Sequence, residues 1–430
     1  MSASAHAEAI KDRFGNPHAP DLPYARGAFV RDTRDDLAKL RHAWKLLKTR
    51  IEEKGLDAVY NFSGLDRRLD LDDYDTVFLD DEIAPAIYID DLTRLGLEHL
   101  GGEPDRHDVF ALNRLTAGLL LAAEILVSPG DRVIGVSPRY SHPAVRRSVN
   151  RAGGRFEDLA GLEAFRAGIK NGPAPQVVFV TRLSVSYEIL PEPDLREIFS
   201  LAKKAGARII VDDAGGARVG PAIFDQPGAL KLGADVAATG LDKYGTLGPR
   251  IGLLGGEREI VAQIRARAFE IGAELRPMLY PAVVRSLKAY DPERVRTLVA
   301  TTKSLADVMR RRLGGNRLLE TPVILQIPGE DLLELVMERG GLAAPPVVPF
   351  EATAGLAMLL LKTYGVLTVH FAGLPPGTSA LLIKFVPPEV LKRFGGAEAF
   401  ADAIDDCATR LTGVVADAAA FRELLFGDAT

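Results

Sequence analysis

Two side chains, 31 residues apart, carry the chemistry this sequence can do. Lys243 lies in the glycine-rich stretch 238–250, Ala-Thr-Gly-Leu-Asp-Lys-Tyr-Gly-Thr-Leu-Gly-Pro-Arg. Upstream, the run 207–211, Ala-Arg-Ile-Ile-Val, ends in Asp212. A lysine amine can condense with an aldehyde to form a Schiff base. A carboxylate beside a ring nitrogen gains a charge-assisted hydrogen bond and keeps that nitrogen protonated. Each residue also has a plain reading. A strand-end aspartate can simply cap the next turn, and lysines in glycine-rich loops are commonly solvated. The combination is what suits pyridoxal 5′-phosphate (PLP), whose ring acts as an electron sink when its nitrogen is protonated.

The elements that must position the pair can be read around them. Asp194–Gly206 has helical character with Gly206 as a stop, and 207–211 is short, apolar and β-branched. Helix, short loop and buried strand form half of a parallel-sheet unit. Ligands in such sheets bind at the carboxyl ends of the strands. Asp212 follows the apolar run directly, and alternation along a strand turns Asp213 the other way. After Gly215-Gly216, the sequence predicts a helix over Ile223–Leu232 and a further strand over Gly233–Gly240, with Lys243 just past its end.

The segments 211–216, Val-Asp-Asp-Ala-Gly-Gly, and 233–249, from Gly-Ala-Asp through Thr-Gly-Leu-Asp-Lys to Gly-Pro, resemble fold-type I PLP enzymes. Within that superfamily they are most similar to the bacterial selenocysteine synthase group (L-seryl-tRNA(Sec) selenium transferase) and its archaeal relatives. The resemblance covers roughly residues 55–430. It implies an α/β fold: a mostly parallel seven-stranded sheet in a large PLP-binding domain, with an α+β small C-terminal domain. Boundaries are set at 1–85 for an N-terminal arm and helix, 86–290 for the large domain and 291–430 for the small one.

The remaining site residues follow from that resemblance and from local pattern. The strand-like 109–112 turns at Asn113-Arg114-Leu115-Thr116-Ala117-Gly118 into an apolar helix ending near Val127. A helix N-terminus offers free N–H groups and a positive dipole end to a phosphate. Thr116 adds a hydroxyl, Arg114 a charge and Ala117 its place in the first turn; a simple Asn or Thr cap is the alternative. The loop lacks the common Gly-x-x-Ala start. The strand Arg132–Val136 runs into 137–143, where Tyr140 and His142 are flat partners for a pyridine ring. His142 is preferred because Ser-His-Pro-Ala-Val resembles the helix start of several members; a surface turn histidine is the alternative. The strand Gln176–Val180 opens into 181–186, where the family places a side chain near the cofactor's phenolic oxygen. Ser184 is taken for that role, and Arg182 for a substrate carboxylate or phosphate. Arg250 and Arg276 are further candidates for phosphate or substrate, with a subunit interface as one setting. Many relatives carry histidine three residues after the strand-end aspartate; Gly215 stands there, implying extra room for a bulky substrate.

The implied activity is that of a PLP-dependent lyase or transferase. Lys243 forms the Schiff base and then acts as general base at Cα of an amino-acid-like amine. The resemblance points to β-elimination or β-replacement, with sulfur or selenium as nucleophile. An aminotransferase is the alternative, disfavoured because 380–385, Ala-Leu-Leu-Ile-Lys-Phe, lacks the arginine that usually binds the α-carboxylate; Lys384 is its one cation. A non-catalytic relative acting as a binding subunit is a third reading. The family implies a homodimer or higher oligomer.

Composition agrees. The chain has 430 residues, 47% hydrophobic and 26% charged, long enough for two domains. Its net charge of −5 gives no general attraction for polyanions. Residues 66–91 hold ten acidic residues against two arginines, which argues against a nucleic-acid face there, so tRNA is disfavoured as a partner. The single Cys407 excludes an intramolecular disulfide and a cysteine-based zinc cluster, and no metal site is expected. The longest apolar run, Leu115–Val127, is too short to cross a membrane and contains Glu124. With no signal segment recognised, a cytoplasmic protein is expected. Residues 1–34 are read as a loosely ordered arm, and Leu37–Lys54 as a helix by the spacing of Leu37, Leu40, Trp44, Leu47 and Ile51.

Overall fold

A computed structural model describes residues 10–371 and 375–427. The chain divides into two compact units, one of residues 66–296 and the other of 1–65 with 297–430.

Unit 66–296 is built on seven strands: β1 (His107–Leu112), β2 (Arg132–Ser137), β3 (Arg155–Ala160), β4 (Val177–Thr181), β5 (Arg208–Asp212), β6 (Val236–Gly240) and β7 (Gly252–Glu257). They form one sheet in the order β1-β7-β6-β5-β4-β2-β3. β7 runs antiparallel to both of its neighbours, and all other pairings are parallel. The α/β, mostly parallel seven-stranded architecture is therefore present. β3 lies on one side of β2 and β4 on the other, so the direction of winding switches there and leaves a crevice at the strands' carboxyl ends.

Alternation along the buried strands sorts their side chains onto two faces. Phe110, Leu112, Val133, Val177, Phe179, Ile210, Val236, Ala238 and Leu254 pack beneath the helices Leu115–Leu126, Pro143–Arg151 and Arg258–Glu270. Val109, Ala111, Ile134, Val136, Val178, Val180, Ile209, Val211 and Ala237 pack on the opposite side, against Ile83–Leu100, Glu192–Lys204 and Tyr280–Lys288. The helix expected over Ile223–Leu232 is instead two pieces, Gly216–Phe224 and Ala229–Leu232. The break falls at Asp225, which is left-handed (φ 53°), and the Pro227-Gly228 that follows cannot continue the first helix. Part of the acidic stretch 66–91 is neutralised within this unit: Arg285 binds Asp72 and Asp75, Arg276 binds Asp81, and Lys288 binds Asp91.

The other unit centres on the helix Pro349–Tyr364, of which residues 349–361 are all buried. A helix apolar on every side belongs in a core, and Gly329–Gly340, Gly396–Val415 and Ala418–Phe426 surround it. A three-stranded antiparallel sheet joins Leu381–Lys384, Ile324–Ile327 and Leu319–Glu320. The segment 10–32, read from sequence as loosely ordered, is packed here without regular structure. Tyr24 stacks on Phe350 with centroids 4.6 Å apart, and buried Glu351 accepts hydrogen bonds from the Phe29 and Val30 N–H groups at 2.7 and 2.8 Å. Contacts with residues more than 300 positions away hold it, and such contacts leave no local periodicity. Helix Thr33–Lys54 follows, capped by Asp32. Tyr60–Asn61 pairs in parallel with Val366–Leu367. Among the described residues, no helix is long and apolar enough to cross a membrane.

Candidate active site

Asp212 is the last residue of β5, in register with Thr181 of β4 and Ala238 of β6. It shares the face of Ile210, the face covered by helices Leu115–Leu126 and Pro143–Arg151. The carboxylate is 3% exposed, and its one hydrogen bond among the described residues comes from the Ala214 N–H at 3.3 Å. Burial raises its pKa from 3.8 to about 6; Lys243 and the Ala214 bond pull the other way, and Asp213 adds to the rise. Asp213 turns to the opposite face, as strand alternation predicts. There its Oδ2 meets Arg182 Nη2 at 2.8 Å, both side chains 1% exposed.

Lys243 sits on the turn after β6, keeping a solvent-reachable edge. Desolvation nevertheless dominates its amine and lowers its pKa; Asp242 and Asp212 favour the charged form, while Arg218 and Arg67 oppose it. The Lys243 carbonyl accepts the Thr246 hydroxyl at 2.9 Å, fixing the turn. Lys243 and Asp212 thus lie within electrostatic reach of one another at the ends of neighbouring strands.

His142 belongs to the same crevice. It is N-cap of Pro143–Arg151, its Nδ1 accepting the Ala144 N–H at 3.0 Å. That bond leaves the ring neutral with its hydrogen on Nε2. Burial, then the charges of Lys243 and Arg147, push its pKa down to about 3, so it is a flat uncharged ring at any physiological pH.

Arg114 is N-cap of Leu115–Leu126 and gives no side-chain cap bond; the Ala117 N–H already donates to the Arg114 carbonyl at 3.0 Å, which leaves the Leu115 and Thr116 N–H groups for a ligand. Thr116 is exposed and Ala117 half-buried in that first turn. Strand β7 runs tight against this terminus: a Cβ on Gly252 would stand 2.5 Å from the Leu115 nitrogen and 2.7 Å from the Arg114 carbonyl carbon. That approach, which a glycine permits, brings Arg250 beside Arg114. Burial and then the repulsion of Arg67 and Arg114 lower Arg250 to about 10, opposed by Asp242. Burial followed by Arg67 lowers Arg114 as well, again opposed by Asp242. Asp242 holds Arg67 at 2.7 Å. Three guanidiniums therefore crowd around one carboxylate, at an uncapped helix terminus, next to Lys243. An anion with two or more charges would relieve that repulsion.

Other sequence candidates are engaged elsewhere. The Arg182 guanidinium is fully buried, binding Asp213 and donating to the Pro227 carbonyl at 2.9 Å, so it ties strand ends together on the face opposite Asp212. The Ser184 hydroxyl serves its own turn, 2.8 Å from Ser186 Oγ and 3.2 Å from the Glu188 N–H. Arg276 is held by Asp81 on the surface. The room expected at Gly215 is filled: a Cβ there would stand 2.2 Å from Tyr244 Cε2.

Sequence reasoning missed several residues. Arg67 was hidden in an acid-rich stretch, and only the fold brings it to Asp242. Asp242 had a readable signal, its adjacency to Lys243. Thr181 and Ser137 end β4 and β2, and both hydroxyls are buried without a hydrogen-bond partner among the described residues. Buried unsatisfied groups at a crevice mark a place for a ligand or ordered water.

The residues present fit PLP. Asp212 and Lys243 suit a ring nitrogen and an aldehyde, His142 offers a flat neutral face, the arginine cluster suits a phosphate, and two hydroxyls await partners. No family model matches the chain. A UPF0425 pyridoxal phosphate-dependent protein of Methanothermobacter thermautotrophicus is 28% identical over 402 residues, covering 93% of this chain and 100% of the relative. A protein of the same description from Methanosphaera stadtmanae is 28% identical over 346 residues, 80% of this chain and 86% of its own. Among solved structures, the PLP-dependent cyclase OrfR matches with a TM-score of 0.56 at 16% identity, over 84% of this chain and 97% of that one. An aspartate aminotransferase of Thermotoga maritima matches with a TM-score of 0.53 at 16% identity, over 86% and 96%. The chain has the fold of the fold-type I PLP enzymes and is similar, across most of its length, to curated archaeal proteins named for that cofactor.

Proposed function

We propose that the protein is a PLP-dependent enzyme acting on an amino-acid-like amine. The coupling of Lys243 to Asp212 at adjacent strand ends, on the face that also holds His142 and the Leu115–Leu126 helix terminus, carries this reading. When bound, the cofactor would supply an electron sink for charge developing at Cα of the amine. Lys243 Nζ is the amine that would hold its aldehyde and, once released, move a proton at Cα; burial lowers its pKa and so favours the free amine that a base needs. Asp212 would hold a proton on the ring nitrogen. A cationic partner offsets the desolvation that raises its pKa, so the carboxylate would be ionised in the loaded site. His142 would cover one ring face without adding charge. Arg67, Arg114 and Arg250 would hold the phosphate, with Asp242 setting the direction of Arg67.

For the reaction class, we favour elimination or replacement at Cβ over transamination. The strand Leu381–Lys384 bears no arginine, the residue on which α-carboxylate binding by ordinary aminotransferases of this fold would rest. The kinship to selenocysteine synthases, a homodimeric assembly and a cytoplasmic setting belong to the same proposal. The test is the visible spectrum of purified protein with added PLP, before and after borohydride, beside Lys243→Ala. A yellow species fixed by borohydride on a Lys243 peptide, and absent in the variant, supports the assignment; a colourless wild type overturns it. Product analysis with β-substituted amino acids then separates pyruvate release from amino transfer.

A further inference from the structure

We propose that the Tyr187–Tyr244 phenol pair is the positioning device for Lys243: locked against Gly215, it holds the left-handed turn from which the lysine side chain enters the crevice. This rests on the reading of Lys243 as the site's reactive amine.

The backbone gives the first observation. Five non-glycine residues among those described have positive φ; two are Tyr187 (φ 64°) and Tyr244 (φ 49°). Left-handed backbone is unfavourable for a bulky side chain, so neighbouring structure must impose it. Such residues gather where a functional group needs an unusual direction. Tyr244 immediately follows Lys243, so its dihedral sets the course of the chain directly at the lysine.

The side chains give the second. The two strained tyrosines meet: their hydroxyls hydrogen-bond, and their rings cross edge to face with centroids 6.0 Å apart at 64°. Exposure is 6% for Tyr187 and 4% for Tyr244. Tyr187 is presented by the turn closing β4, where Ser184 N–H donates to the Glu188 carbonyl at 2.9 Å and Tyr187 N–H to the Ser184 carbonyl at 3.0 Å. The end of β4 is thereby linked through two phenols to the lysine turn after β6.

The third is Gly215. The Tyr244 ring lies where a side chain at 215 would begin, with Cε2 2.2 Å from the position of a Cβ, so residue 215 must be glycine for the ring to stay. Burial raises the pKa of both phenols, so the pair stays neutral and presents no competing charge to an amine already influenced by Asp242, Asp212, Arg218 and Arg67.

The experiment labels Lys243 in the full-length protein, without cofactor, using trinitrobenzenesulfonate from pH 6 to 11. Mass spectrometry of the Lys243 peptide gives the half-point of labelling, which reports the free amine. Tyr187→Phe, Tyr244→Phe and Gly215→Ala are each expected to release the lysine toward solvent. The half-point should rise toward that of an ordinary lysine by about one pH unit, a roughly tenfold loss of labelling rate at fixed lower pH. Gly215→Ala should act like the tyrosine changes although it removes no hydroxyl, and the double Tyr187→Phe/Tyr244→Phe variant should match the single ones, because the pair acts as one unit. Folded Tyr187→Phe protein with the wild-type half-point overturns the proposal. That variant keeps the ring and loses one hydroxyl, so it decides the matter even if the other two do not fold. The readout needs no PLP, so failure of cofactor binding would sink the functional reading and leave this one separately judged.

Discussion

Replacing Lys39 by methionine should stabilise the protein, and the gain should vanish with rising pH. Lys39 is fully buried on helix Thr33–Lys54, within the unit built around Pro349–Tyr364. Its ammonium lies 4.0 Å from Asp36 Oδ1 and 5.6 Å above the Phe350 ring, with no hydrogen-bond partner among the described residues. The other oxygen of Asp36 is bound by Arg26 at 2.7 Å. Burial lowers the Lys39 pKa from 10.5 to about 8, with Asp36 opposing the shift and Arg26 adding to it. The difference, 10.5 − 8, corresponds to about 3 kcal/mol. The sign follows from proton counting: between about pH 8 and 10.5 the unfolded chain binds more protons at this group, so stability rises with pH in that window. Below about pH 8 the full penalty is present. Lys39→Met removes the charge and keeps an unbranched chain of similar volume, so the expected gain at pH 7 is about 2–3 kcal/mol, less any cation–π attraction lost. Near pH 10.5 it should approach zero. Trp44, the chain's single tryptophan, lies on the same helix, so urea unfolding followed by its fluorescence reports on the correct unit. A variant less stable than wild type at pH 7, or a wild-type curve flat from pH 8 to 10.5, would refute the reasoning.

Three more outcomes follow from the site. Asp212→Asn should raise the melting temperature of the cofactor-free protein at pH 7.5, since burial disfavours the Asp212 carboxylate; the penalty grows as pH rises from 3.8 to about 6, so thermal scans below pH 4 should show no difference, while PLP binding is lost. Gly252→Ala should destabilise by about 1–3 kcal/mol, because its Cβ meets the Arg114–Leu115 backbone, and equilibrium unfolding should show this together with weaker phosphate binding. Inorganic phosphate should stabilise the wild type in calorimetry, and Arg114→Gln or Arg250→Gln should each weaken it by about 1.5 kcal/mol, roughly tenfold; unchanged affinity in both would remove the arginine cluster from the phosphate role.

The large sheet was legible because its strands are buried on both faces and read as continuous apolar runs: Ile209-Ile210-Val211 before Asp212, and Val177–Val180 before Thr181. The edge strand Arg155–Ala160 and the glycine-rich Gly252–Glu257 lacked that signature and were not found. Their pairing partners, not their own residues, make them strands. In the C-terminal region, the spacing over Arg294–Leu313 predicts a single helix, whereas the structure has two, Pro292–Lys303 and Ala306–Leu313. Both pieces share helical spacing, so a break between them leaves no trace in periodicity.

Chain order was enough to read the fold class and to single out Lys243 and Asp212 as candidates, because those readings depend on local order: an apolar run, the polar residue that ends it and a glycine turn. Tertiary structure alone decided what surrounds them. It brought Arg67 to Asp242 across 175 residues, turned Arg182 into a buried partner of Asp213, gave the Gly215 space to Tyr244, and joined the first 65 residues to the last part of the chain. The physical reason is that charge pairing and close packing act through space. Both depend on distances that chain order does not encode, while hydrophobic alternation and turn chemistry act between neighbours and are written directly in the residues.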